Sequence, residues 1–337
     1  MCTHPVGEPA RRCQRIQPAL LAVGIVLGAL LIPHSVLAQY PTKPIRLVVG
    51  LAQGGAPDIA ARIIAAKMAP LLGQPVLVEN RVGSNGSIAT EFVARSAPDG
   101  YVLLMSNDSM MTINPHLYTK MPVDVLKDLV PVTAVSQTSN FFLTVHPSVP
   151  AKTLQEFIEY AKTANPPLAY ASVGYGSQHH LAMEMLKWRA GINLLHVPYK
   201  GGAPAATATL AGEVSAMIGG ASSVAQITNG KLRALAATGR ARSALFPELP
   251  IIAEFYPGYE LTTWIGILSP VGLGDAAASR LRAEVSKVLA MPDVAKGFAA
   301  AGIEPYLSTS QQFSDRIRAD YEKYGKLVKM FGIKVGN

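Results

Sequence analysis

Apolar residues recur along this chain with two periods. From residue 45 onward, short runs rich in Val, Ile and Leu predict strands over 45–50, 76–79, 101–106, 130–135, 141–146, 169–172, 194–197, 215–218, 232–237 and 261–269. Helical spacing separates many of them. Over 57–72, Ile59, Ile63 and Ala66 recur at that spacing; 153–164 opens with Thr153 and Glu156 as a capping box; 177–190 follows a glycine turn. Strand-then-helix alternation implies right-handed βαβ units and mostly parallel sheets. After Asp275 helices are predicted over 275–289, 292–300 and 309–331, with almost no strand. The last carries Phe313, Ile317, Tyr321, Tyr324, Val328 and Phe331 in one core-packing stripe and opens on Thr309 and Gln312, a second capping box. No repeat, low-complexity tract or Gly/Ser linker interrupts the pattern. Two domains, if present, therefore join through strands, with 141–149 leading out and 261–269 returning.

The first 38 residues follow another rule. Arg11, Arg12 and Arg15 precede an apolar run over 19–32, and Val36-Leu37-Ala38 offers small residues for cleavage, so this segment reads as a secretory signal. The run is short for a bilayer span of about 20 residues. Both cysteines, Cys2 and Cys13, lie in it, which leaves the mature chain no disulfide, no thiolate metal site and no Cys nucleophile. Removing Glu8 and the three arginines lowers the formal charge from +8 to +6. Lys and Arg are scattered singly, which argues against nucleic acid and leaves general steering of anions.

Chemistry concentrates where strands run into glycine turns. In YPTKPIRLVVGLAQGGAPDIAAR (residues 40–62) a buried strand enters the loop Leu51-Ala52-Gln53-Gly54-Gly55-Ala56-Pro57-Asp58, and a helix begins at Pro57. Such a corner aims free N–H groups and the positive helix end at one spot, ready for an anion. Asp58 favours the helix dipole, orders the loop, or accepts from a ligand. Ser172-Val173-Gly174-Tyr175-Gly176-Ser177-Gln178-His179-His180 repeats the design, with Ser177 as N-cap. Its GxG lacks the third glycine of a dinucleotide fingerprint, and no Walker A sequence occurs. Adjacent histidines face different sides of a helix and make a poor metal pair; no cofactor or metal is expected. A Ser177–His180–Asp58 triad would need a G-x-S-x-G elbow, which this loop does not match. Residues 196–204, with Lys200 and a glycine pair, form a third punctuated segment. Asn85-Gly86-Ser87 fits a glycosylation sequon that carries little meaning behind a bacterial-type signal.

Taken in order, YPTKPIRLVV, GGAPDIAAR, LLGQPVLVENRVGSNGSIA, APDGYVLL, NPHLY, PAKTLQEFIEYAK, YASVGYGSQHHLAMEML, HVPYKGGAPA, GKLRALAATGRAR and the tail over 293–334 resemble the solute-receptor family of tripartite tricarboxylate transporters, also called the Bug or TctC-like family. The resemblance spans the whole mature chain. It implies an α/β fold: a two-lobed periplasmic binding protein (type II, Venus flytrap) with two mostly parallel sheets joined by two crossing strands. The expected division is 1–38 signal peptide, 39–143 plus 264–337 first lobe, and 144–263 second lobe.

The resemblance also implies a site and partners. Carried over by position, Gln53, Gly54, Gly55, Ala56 and Asp58 belong to the first-lobe loop, Ser87, Ser106 and Asn107 border the cleft, and Gly174, Tyr175, Gly176, Ser177 and His180 form the second-lobe loop. The expected function is a non-enzymatic, monomeric periplasmic receptor that binds a small organic carboxylate through backbone N–H groups and delivers it to membrane permease subunits. The rival readings are a secreted α/β hydrolase using Ser177 and His180, and a module that reports ligand to a signalling partner. The chain departs from the family pattern at three places. Gly50 to Gly55 stands for P-F-A-P-G-G, Ile218-Gly219-Gly220 for a Phe-Asp run, and Ala208 for an aspartate. Loss of a second-lobe acid disfavours an amine on the ligand and favours a distal end that is apolar, aromatic or itself anionic.

Overall fold

The computed structural model describes residues 1–4 and 40–333. Nearly all of the predicted export segment, with Cys13, lies outside the described residues, as does Lys334.

From the amino terminus the chain forms β1 (Ile45–Val49), α1 (Ala56–Leu72), β2 (Val76–Asn80), a 3-10 turn (Ser84–Gly86), α2 (Ser87–Ala94), β3 (Val102–Asn107), a π-helical turn (Ser109–Ile113), α3 (Asn114–Leu117) and β4 (Leu129–Thr138). It continues through β5 (Phe142–Val145), α4 (Leu154–Thr163), β6 (Ala169–Ser172), α5 (Gln178–Ala190), β7 (Leu195–Pro198), α6 (Gly202–Leu210), β8 (Ala216–Gly219), α7 (Ala221–Thr228) and β9 (Arg233–Ala237). It ends with β10 (Thr263–Pro270), α8 (Asp275–Leu289), α9 (Pro292–Ala300), the short β11 (Glu304–Pro305) and α10 (Ser310–Met330). All ten expected strands are present, and β11 is an eleventh.

The strands make a six-stranded sheet in the order β11-β4-β10-β3-β1-β2 and a five-stranded sheet in the order β7-β6-β8-β5-β9. The two-sheet α/β expectation holds, but the sheets are mixed instead of mostly parallel. β10 lies antiparallel between β3 and β4, and β5 antiparallel between β8 and β9. These are the first strands the chain makes after changing sheets. They enter without the crossover helix that would force parallel pairing. Nor does either strand itself cross: β5 stays in the second sheet and β10 in the first. The chain changes sheets through residues 139–141 and 238–262, because the pairing partners of both strands lie wholly on one side.

The first sheet is buried on both faces, which explains its unbroken apolar runs. Ile45, Leu47 and Val49 of β1 pack with Ile64 and Met68 of α1, Val285 of α8 and Phe298 of α9, whereas Val48 faces Val93 of α2 and Phe313 and Ile317 of α10. The capping box that opens α10 forms as read: Thr309 Oγ1 accepts from Gln312 N at 3.1 Å and Gln312 Oε1 accepts from Thr309 N at 3.0 Å. At α4 only half forms, since Glu156 takes the N–H of Lys152 instead of Thr153. The far half of α10 leaves the first sheet. Tyr324 and Val328 pack in one cluster with Leu181 and Met185 of α5, so this helix ties the two sheets together.

Gly266 in β10 sits directly under Phe313, whose ring occupies the space a Cβ would need. Gly266→Ala should therefore cost about 1–3 kcal/mol through forced repacking. Urea unfolding checks this: the midpoint should fall with the slope unchanged, and an unmoved midpoint would mean the ring yields freely.

Candidate functional site

Gly54, with φ of 79°, turns the chain between β1 and α1. Its N–H donates to Asp58 Oδ2 at 3.0 Å, and the same carboxylate takes Arg62 Nε at 3.1 and 3.0 Å and Asn80 Nδ2 at 3.0 Å. Burial alone would raise the Asp58 pKa; the hydrogen bonds from Arg62, Gly54 and Asn80 outweigh it and hold the carboxyl below its usual range. With each sheet and the helices packed on it taken as one lobe, Asp58 faces its own lobe and orders the loop from behind. Gly55, the N-cap, offers no side-chain acceptor, and Pro57 has no N–H, so the first turn leaves the Ala56 N–H without an intrahelical partner.

The second corner, from β6 to α5, rests on neutral imidazoles. Gly174 N donates to Ser172 Oγ at 3.1 Å, Gly176 N to His180 Nδ1 at 3.2 Å, and His180 N to the cap Ser177 Oγ at 3.2 Å. His180 stacks on His196 with centroids 4.0 Å apart, and His196 Nε2 lies 2.6 Å from Ser172 Oγ. Burial pushes His179 and His180 down to about 4 and His196 to about 3, where the neighbouring His180 adds to the effect. No catalytic triad forms. Ser177 is spent on the cap, the His180 ring on Gly176, and Asp58 on Arg62 in the other lobe.

Two more strand-to-helix corners meet these. Gly201 and Gly202 open α6, and Gly220 caps α7. The lobes touch here backbone to backbone: Ala52 N donates to Lys200 O at 3.3 Å, and Ser222 Oγ donates to Gly54 O at 3.1 Å. Two adjoining hollows lie between the lobes. The inner one, about 40 Å³, is lined by the starts of all four helices: Gly55 and Ala56, Gln178 and His179, Gly202, and Gly220 with Ser222. Pro57, Asn107 and Ile265 line it as well, with Thr138, Phe141 and Thr263 from the ends of the strands beside the passage between sheets. Among the described residues no Asp, Glu, Lys or Arg lines it. Gln178 is 2% exposed, and neither atom of its amide has a hydrogen-bond partner; the nearby Tyr324 hydroxyl feels it without a bond of normal geometry. His179 Nδ1 is likewise unpartnered. Phe141 shuts one side, its ring 3.0 Å from where a Cβ on Gly220 would stand and 4.8 Å from the His179 ring.

The outer hollow, about 330 Å³, lies between residues 82–85 of the first lobe and residues 173–175 and 198–200 of the second. Leu51 and Val173 belong to the walls of both hollows.

Of the residues expected from sequence, Gly55, Ala56 and Asn107 line the inner hollow, and Gly174 and Tyr175 the outer. Gly54 makes the lobe contact. Gln53 is exposed and lines neither hollow. Gly176 packs against Leu117 and Asn114. Ser87 accepts from Asn114 Nδ2 at 3.2 Å, Ser106 donates to Asn107 O at 3.2 Å, and Ser177 and His180 support their loop from beneath. Sequence reasoning chose the wrong histidine for the cleft: neighbours on a helix point about 100° apart, and His179 faces the hollow. It also missed Gln178, Gly202, Gly220, Ser222, Thr138, Phe141 and Thr263. The glycine pairs after β7 and at the end of β8 were the available signal. Among the described residues no group of His, Cys, Asp and Glu is placed to hold a metal, and no helix is long and apolar enough to cross a membrane.

The description "Tripartite tricarboxylate transporter family receptor" matches residues 60–333. The chain belongs to this family. Its members are solute-binding receptors, not enzymes, and share the two-sheet periplasmic binding protein fold. Protein BugT of Bordetella pertussis is 34% identical over 94% of this chain and 98% of its own length. The structure of R. palustris Rpa4515 with adipate superposes with a TM-score of 0.83 at 30% identity, covering 88% of this chain and 99% of that one. MatC of Rhodopseudomonas palustris with bound malate gives 0.81 at 27%, covering 86% and 100%.

The buried histidines set an acid limit. Their folded pKa values lie below the ordinary imidazole value, so between about pH 6.5 and 4 the unfolded chain binds more protons and stability falls as pH drops. His180, at 4% exposed, contributes up to roughly 3 kcal/mol to that loss. Urea unfolding at several pH values across the window should show a steep slope that flattens in His180→Asn, which keeps an acceptor for Gly176. Equal slopes in both proteins would assign the proton uptake elsewhere.

Proposed function

We propose that this chain is an exported receptor that captures a small organic carboxylate between its lobes and delivers it to the membrane permease of a tripartite tricarboxylate transporter. The observation that carries this reading is the inner hollow. Four helix amino termini, one from the first lobe and three from the second, converge on a volume with no formal charge and no acidic wall. Partial positive charge at helix ends and unpartnered N–H groups suit an anion. The missing carboxylate at Gly219 and Gly220 leaves nothing to pair an ammonium group. Relatives with adipate and with malate are consistent with this chemistry. Export rests on the signal-like first 38 residues and on the periplasmic family, and the net +6 of the remaining chain favours anion encounter.

Each charge-assisted hydrogen bond adds on the order of 1.5–3 kcal/mol, so a few from each side support micromolar affinity. A thermal-shift panel of mono-, di- and tricarboxylates tests the reading. A bound acid at 100 times its dissociation constant stabilises by about 2.7 kcal/mol. At least one acid should raise the melting temperature while amines and neutral sugars leave it unchanged; a panel in which only amines or sugars shift it overturns the assignment.

A further inference from the structure

Resting on that carboxylate reading, we propose that the ligand is an aromatic acid, its carboxylate in the inner hollow and its ring in the outer one. The two hollows differ in kind. The inner is small, uncharged and rich in donors, with room for a head group and little else. Phe141 packs beside Gly220 on one side, and Leu51 and Val173 line both hollows, so the body of a bound acid runs past these two residues. Beyond that gate the outer hollow is large enough for a ring, since a cavity of about 150 Å³ already holds benzene. Three tyrosines from separate segments line it: Tyr118 from the first lobe, and Tyr175 and Tyr199 from the second. Their rings offer flat apolar faces and edges that favour an aromatic partner. Lys200 is the one charged residue in its lining, and it is exposed. A linear diacid with its head inside would have only the exposed Lys200 to meet a second carboxylate, whereas a ring would meet Val82, Pro198 and the three tyrosines. Gln178 gives the head a built partner, buried and with both amide atoms uncommitted.

Calorimetric titration of the whole mature protein with acetate, adipate and benzoate separates the possibilities. Benzoate should bind at least about ten-fold more tightly than either of the others. Tyr175→Ala should weaken benzoate by about ten-fold and leave the weaker acids within about two-fold. Because Tyr175 also leans on the histidine stack, Tyr118→Ala on the opposite lobe provides a second test with the same expectation. Adipate or acetate binding as tightly as benzoate overturns the proposal, as does an equal loss for all acids in the Tyr118 variant. Binding of some carboxylate without ring preference leaves the receptor reading intact and removes only this one. Binding of no carboxylate at all removes both.

Discussion

The geometry of the site depends on two backbones meeting without side chains between them. Gly201 faces Ala52 so closely that a Cβ on it would stand 2.9 Å from the alanine's own, and a Cβ on Gly54 would stand 3.3 Å from that of Ala203. Only at that separation can the Ala52 N–H reach Lys200 O and Ser222 reach Gly54 O. The same closeness lets helix starts from both lobes share one small volume. Removing water from that volume strengthens every dipole aimed into it, which is how neutral groups alone can hold a charge. Asp58 serves this arrangement at one remove. By binding the Gly54 N–H it fixes the turn while keeping its own charge on the far side, matched by Arg62.

A compact polar junction lies behind the inner hollow. Thr138 and Thr263 line both the hollow and a second groove. Thr263 donates to Asp108, whose carboxyl pKa burial pushes well above the usual carboxylate range, which disfavours its charged form. A charged Asp108 would face Asp320 on α10, which already accepts from Trp264 Nε1 at 3.0 Å and Arg316 Nε at 2.7 Å. The Tyr324 hydroxyl donates to Thr262 O at 3.3 Å. The final helix thus reaches Thr262, between the sheets, and Trp264 of β10, and packs against both sheets.

How much of this was legible depended on whether the determining force was local. Strands and amphipathic helices were, because burial imprints a period on the sequence. The unbroken run Leu47-Val48-Val49 carries no such period, because both of its faces are buried, and its length and β-branched residues marked it instead. α6 and α7 were not. GAPAATATL is made mostly of small residues, and ASSVAQIT has only Val224 and Ile227 as an apolar pair, too short a pattern to mark a helix. Those two helices supply two of the four corners that meet at the inner hollow. Strand direction was misjudged for a related reason: β5 and β10 run against their neighbours because of the path between lobes, which no local pattern records. Thr138, Phe141 and Thr263 reach the hollow only because the chain changes sheets beside them. The family resemblance pointed to two loops that the structure brings to adjoining hollows, but it could not tell which side chains face inward. His180 supports its loop, and His179 lines the cavity.

For a carboxylate guest, a neutral hollow has an advantage that a salt bridge lacks. An arginine placed there would have to lose its own hydration along with the ligand's, and the resulting buried pair would be costly to separate. Helix-end N–H groups enclosed by the closed lobes have little hydration left to lose. The division of the donors matters as well. Three of the four corners belong to the second lobe, so closure adds mainly what Gly55 and Ala56 provide, on the order of one or two charge-assisted hydrogen bonds of about 1.5–3 kcal/mol each. A difference of that size is enough to favour the closed form when ligand is present. In the proposed transport role, it is also small enough for contacts with a membrane partner to reverse.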